Sequence, residues 1–196
     1  MDGRRGYQMR ARAETAERTA LRIMDAAIAL WRERDYDKFT LREIADRAGV
    51  SLSTLMRRFG SKEGLAEAVL TGDRVGTQRR RDAVAAGAID DAVRMIVEDY
   101  EVNGDAVIRM LALEDRMDAV RRIVEAGREA HTAWVERVFA PLLARAPGRR
   151  RRLTLQLVIA TDVQTWKLLR RDRRLAVLET RAVMRELCDA IVKGEA

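Results

Sequence analysis

Residues 39 to 65 read FTLREIADRAGVSLSTLMRRFGSKEGL, from Phe39 to Leu65. Thr40 followed three residues later by Glu43 is a capping-box pattern, which predicts a helix opening at Leu41. Leu41, Ile44, Ala45 and Ala48 fall on one side of it, and Gly49 ends it. Ser51 is a second N-cap, starting a helix that runs through Leu55 to Phe59. Gly60 breaks that helix and Ser61 caps the next. The segment is therefore two short helices joined by a tight glycine turn. Ala45 and Ala48 are small where the helices must approach, and Ile44, Val50, Leu55 and Phe59 supply a small core. The second helix exposes Ser53, Thr54, Arg57 and Arg58. An α-helix fits the width of the DNA major groove, where Arg pairs with guanine edges or phosphates and Ser or Thr reaches either. A generic helical hairpin with a polar outer face shares this period. The full string of cap, small crossing residues, glycine turn and capped polar helix with two arginines favours DNA.

Around this segment the chain reads as helix throughout. Upstream, Leu21, Met24, Ile28 and Trp31 recur at spacings of three and four, with Ile23, Ala27 and Leu30 widening the stripe. Before Glu14, residues 1–13 carry Arg4, Arg5, Arg10 and Arg12 without apolar periodicity, and are expected to form a flexible basic arm. Downstream, Ile89, Ala92, Val93, Ile96, Val97 and Tyr100 make an amphipathic face, and Asn103-Gly104 is expected to break it, leaving a short helix around Met110. Val120 to Leu142 reads as one long helix bent by Pro141, Leu153 to about Arg171 as another, and Ala176–Val192 as a last. The expectation is an all-α fold of about nine helices, divided into the arm 1–13, a helix-turn-helix domain 14–72 and a larger helical domain 73–196.

The 196 residues suffice to bury a core without covalent staples. With one cysteine, Cys188, and one histidine, His131, an internal disulfide, a cysteine-based metal site and a multi-histidine centre are excluded, and no cofactor is expected. The first thirty residues are charged throughout, without the apolar core of a signal peptide, and no apolar run approaches membrane-spanning length. A cytoplasmic protein with no membrane partner is the expectation. The net charge is +7, from 38 basic and 31 acidic residues. Residues 1–62 hold 14 of those basic and 9 of those acidic side chains, so most of the excess surrounds the helix-turn-helix.

The segment closely resembles the N-terminal domain of TetR-family transcriptional regulators, whose members show T-x-x-x-I-A-x-x-A-G-V-S, then T-L-Y-x-x-F, then S-K-E-x-L. Thr40, Ile44, Ala45, Ala48, Gly49, Val50, Ser51, Thr54, Leu55, Phe59, Ser61, Lys62, Glu63 and Leu65 stand in register. The resemblance implies phosphate contacts for Thr40, Arg42 and Lys62, groove reading by Ser53, Thr54 and Arg57, and a backbone contact for Arg58. Met56 replaces the family's usual Tyr and cannot donate that residue's hydrogen bond to phosphate. The resemblance also implies a ligand-responsive repressor bound to a palindromic double-stranded operator as a homodimer, paired through the last two helices.

The residues support the pairing independently. Leu155, Leu157, Val158, Ile159, Val163, Trp166 and Leu169 spread too far around their helix for one core face, as a helix with two partners requires; a helix central to a monomer would look the same. For a small, largely apolar effector, Tyr100, Met110, His131, Trp134 and Gln164 are the candidate lining, with core packing the simpler role for each taken singly. A small helical enzyme is the rival reading, but a single histidine leaves no nucleophile–base–acid arrangement to argue. A non-DNA adaptor is the other; its helices lack a Lys-rich face opposed to bulky apolar residues.

Overall fold

A computed structural model describes residues 2–194, with side chains described for 14–69 and 80–194. Among the described residues the chain is helical and strand-free. Ten helices follow in order: α1 (Asp2–Glu33), α2 (Leu41–Ala48), α3 (Leu52–Phe59), α4 (Lys62–Asp82), α5 (Ile89–Leu111), α6 (Asp118–Val138), α7 (Ala140–Leu143), α8 (Arg150–Ala160), α9 (Val163–Lys167) and α10 (Val177–Lys193). They fall into two compact units, Met1–Asp73 and Arg74–Ala196. None of the helices is long and apolar enough to cross a membrane, and no cluster of metal-ligating side chains occurs among the described residues.

In the first unit α1 packs on α2 and α2 on α3. The buried stripe of α1 is Ala20, Ile23, Ala26, Ala27 and Leu30, whereas Leu21 is 51% exposed. The stripe is thus rotated from the line of Leu21, Met24, Ile28 and Trp31 toward its expected flank of Ile23, Ala27 and Leu30, because the alanines let α2 approach where bulkier residues would hold it off. The α1 backbone begins at Asp2 rather than near Glu14. The expected basic arm therefore falls on that helix, and the side chains of Arg4, Arg5, Arg10 and Arg12 lie outside those described.

The second unit departs from the sequence reading at three breakpoints. Asn103-Gly104 does not end α5, which continues to Leu111. Gly104 is buried because the Trp166 indole lies on it: a Cβ there would sit 2.5 Å from the ring. Met110 accordingly belongs to the last turn of α5, not to a separate short helix. Pro141 does not bend α6 but starts α7, at the position where its missing N–H costs nothing. The helix expected from Leu153 to Arg171 is divided at Thr161-Asp162. Asp162 caps α9 by accepting from the Gln164 N–H at 2.7 Å, while the Thr161 hydroxyl donates to the Leu157 carbonyl at 2.7 Å. After α9 the chain widens into a π-helical turn, Leu168–Asp172. Helices α5, α6, α8, α9 and α10 enclose the core, whose largest fully buried side chains include Trp134, Trp166 and Phe139.

Candidate nucleic-acid interface

The helix-turn-helix is built by the caps that its sequence carries. The Thr40 hydroxyl accepts from the Glu43 N–H at 3.2 Å, and the Glu43 carboxylate accepts from the Thr40 N–H at 2.8 Å. The Thr40 N–H, then the Arg34 guanidinium and the Thr40 hydroxyl, all donating to the Glu43 carboxylate, hold it below the usual carboxylate range. Gly49 closes α2 in the left-handed region, φ 64°, with the Val50 N–H reaching back to the Ala45 carbonyl at 3.0 Å. Ser51 then caps α3, accepting from the Thr54 N–H at 3.2 Å. Its hydroxyl also lies 2.9 Å from both Ser53 Oγ and Thr54 Oγ1, so three hydroxyls cluster on the first turn of α3.

The charges around this turn divide into two sets. Arg47 makes a two-pronged pair with Glu33, at 2.6 and 2.7 Å, and Arg34 pairs with Glu43 at 2.9 Å. These arginines brace α1 against α2. Arg42, Arg57 and Arg58 are exposed, and no ion pair holds them among the described residues. Arg57, Arg58 and Thr54 line a cleft of about 690 Å³ with Thr15, Ala16, Thr19 and Ile23 of α1. Thr15 and Thr19 are cleft residues that the sequence reading missed. A threonine at the solvent side of an apolar helix stripe gives no signal until the helix it faces is known.

Of the seven predicted contact residues, six are presented outward around α2 and α3: Thr40, Arg42, Ser53, Arg57 and Arg58 are exposed and Thr54 is half-buried. Lys62 is different. Its ammonium donates to the Tyr36 and Phe39 carbonyls and lies 4.4 and 4.1 Å from their ring centroids. Burial lowers its pKa. The charge is engaged inside the first unit. Met56 is 42% exposed on α3, an apolar side chain among the polar groups.

Residues 23–69 match the bacterial regulatory proteins of the tetR family. An HTH-type transcriptional repressor of Mycobacterium tuberculosis is 30% identical over 151 residues, covering 67% of this chain and 79% of its own. The chain belongs to the TetR family. It is an HTH-type transcriptional regulator. A further relative, an uncharacterized HTH-type regulator of Bacillus subtilis, is 45% identical over 53 residues, 27% of this chain and 28% of that protein. The TetR fold extends through the second unit as well. A solved structure described as a TetR-family regulator from Mesorhizobium loti aligns with TM-score 0.71 at 20% identity, over 91% of this chain and 97% of that one. One from Rhodococcus aligns with TM-score 0.71 at 16% identity, over 89% and 99%.

The candidate effector residues divide as well. Tyr100, His131 and Trp134 are buried together. The His131 and Trp134 rings stack at 5.6 Å, and Tyr100 and His131 meet at Thr161: the phenol donates to its carbonyl at 3.0 Å and His131 Nε2 lies 3.1 Å from its hydroxyl. Met110 is half-buried on α5. Gln164 is exposed and does not join the cluster, because the break at Thr161-Asp162 turns the start of α9 outward. Thr161, Asp99 and Arg81 join it in ways the sequence did not reveal. Arg81 lies 5.7 Å from the Trp134 ring centroid and 3.5 Å from the Asp99 carboxylate. The Thr-Asp dipeptide before an apolar run is a cap signal that would have located the break.

Proposed function

We propose that this protein is a ligand-responsive repressor that binds a palindromic operator as a homodimer in the cytoplasm. The observation that carries the DNA reading is the first turn of α3. Its hydroxyls and the unpaired guanidinium groups of Arg57 and Arg58 are presented together, while the neighbouring Arg34 and Arg47 are neutralised. In this reading α3 enters the major groove, with Ser53, Thr54 and Arg57 facing base edges and Arg58, Arg42 and Thr40 on phosphates. Lys62 fixes the loop before α2. Repression is the activity given to the Mycobacterium tuberculosis relative.

Dimerisation is supported by apolar side chains facing solvent on α8 and α10. Leu155 is 54%, Ile159 66% and Leu187 42% exposed. A twofold pair presents two recognition helices to half-sites one DNA turn apart, about 34–36 Å. Effector binding is assigned to the second unit, around Tyr100, His131 and Trp134.

The test is a gel shift with genomic fragments, followed by the recovered site against random duplex. Losing a bidentate Arg–guanine contact costs about 1–3 kcal/mol. Arg57→Ala should therefore weaken the recovered site roughly tenfold or more while changing random DNA little. Equal loss on both duplexes makes Arg57 a phosphate contact. No shift with any fragment refutes the DNA reading.

A further inference from the structure

The buried cluster in the second unit contains polar atoms without partners among the described residues. His131 Nδ1, Trp134 Nε1 and Arg81 Nε are each shielded from solvent and have no hydrogen-bond partner among the described residues. They lie in one neighbourhood: the two rings stack at 5.6 Å and the guanidinium carbon is 5.7 Å from the Trp134 ring centroid. His131 and Trp134 are 7% and 2% exposed. A buried donor or acceptor without a partner costs about 1–3 kcal/mol, so three in one neighbourhood require an explanation.

The hydrogen bonds fix what each atom offers. The Thr161 hydroxyl gives its hydrogen to the Leu157 carbonyl at 2.7 Å, so at the 3.1 Å contact with His131 it must accept. Nε2 therefore carries the imidazole hydrogen. Burial and the Arg81 charge push the His131 pKa down to about 4, keeping the ring neutral at pH 7. Nδ1 is then a bare lone pair, an acceptor, on a ring stacked against Trp134, whose own N–H is a donor. The Arg81 charge is already met by Asp99 at 3.5 Å. A carboxylate ligand would present only acceptors, leaving Nδ1 bare and adding a second anion beside Asp99. A hydrocarbon would satisfy none of the three atoms.

Resting on the effector-sensing reading above, we propose that the second unit recognises a neutral small molecule through one group that both donates and accepts. Such a group, a hydroxyl or an amide on an apolar body, donates to His131 Nδ1 and accepts from Trp134 Nε1. The apolar body belongs in the surrounding core, which includes Tyr100 and the partly buried Val158 and Ile108.

Four probes of similar size separate the chemistries: benzyl alcohol, benzamide, benzoate and toluene, added to the full chain in thermal-shift measurements. Benzyl alcohol and benzamide should raise Tm by about 2–4 °C at tenfold excess over their Kd. Benzoate and toluene should leave it unchanged. His131→Gln keeps an N–H for Thr161 and removes the acceptor at Nδ1, and should weaken the response tenfold or more. His131→Asn keeps an acceptor at that position and should retain it. Trp134→Phe keeps the ring and deletes the donor, weakening binding without removing the core aromatic. Stabilisation by toluene equal to that by benzyl alcohol overturns the proposal, as does a wild-type response in His131→Gln or no response to any probe; internal water then satisfies the three atoms. Binding of benzyl alcohol that never releases DNA leaves the ligand chemistry standing and refutes the effector reading instead.

Discussion

Lys62 turns its charge into its own domain. Two carbonyls and two aromatic faces surround the ammonium, tying the start of α4 to the connection between α1 and α2. Lys62→Met should destabilise the protein by about 1–2 kcal/mol in urea unfolding, from lost charge-assisted and cation–π contacts. The salt dependence of DNA binding distinguishes this role from a phosphate contact, which would lower the slope of log K against log salt by about 0.9. An unchanged slope is expected. His131 yields a second prediction at this scale. Its pKa falls from the ordinary 6.5 to about 4 in the folded protein, chiefly by burial. Below pH 6.5 the unfolded chain binds the proton first, so stability present at neutral pH is lost as pH falls toward 4. Between pH 7 and 5 the loss should be about 2 kcal/mol. His131 is the sole histidine of the chain. His131→Gln should flatten the profile in that window; a profile unchanged by the substitution contradicts a neutral buried imidazole.

At the scale of the element, the decisive contact is α5 against Trp166. The indole N–H donates to Glu101 at 2.8 Å, the Arg171 guanidinium lies 4.5 Å from the ring centroid, and Tyr100 stands beside it at 5.9 Å. The ring is held on three sides, and the fourth is the bare backbone of Gly104. Glycine inside a helix ordinarily costs about 1 kcal/mol against alanine. Here that preference is reversed, because a methyl group would overlap three ring carbons at 2.5 to 3.0 Å. Overpacking of this kind costs about 1–3 kcal/mol. Gly104→Ala should therefore lower Tm by several degrees and shift Trp fluorescence. A rise in Tm would mean that the ring moves freely and that Gly104 is only a weak point in α5.

For the whole molecule, the exposed apolar positions of α8 and α10 carry the proposed pairing. A groove of about 540 Å³ runs between these helices, lined by Ile159, Leu187 and Ile191 and rimmed by Arg149 and Arg152. A second copy seated there would remove that apolar surface from water, at about 25 cal/mol per Å². Leu187→Asp places a charge that pairing would bury without a partner. Light scattering at micromolar concentration should find dimers for the wild-type chain and monomers for Leu187→Asp. A wild-type monomer refutes the pairing, and with it simultaneous reading of two half-sites.

The first unit was legible because its instructions are local. Thr40 with Glu43, Gly49, Ser51 and Ser61 each satisfy backbone groups within a few residues of themselves, so spacing alone located α2, α3 and the start of α4. The sequence likewise determined the all-helical character and the exposed Arg57 and Arg58. It did not determine contacts between residues distant in the chain. Gly104 reads as a helix breaker until Trp166, sixty-two positions on, is packed against it. Gln164 reads as a pocket residue until Asp162 caps α9 and turns it outward. Lys62 reads as a free cation until Tyr36 and Phe39 fold over it. Caps and periodicity are properties of a helix and its own neighbours; the partner of a buried side chain exists only after the helices have packed.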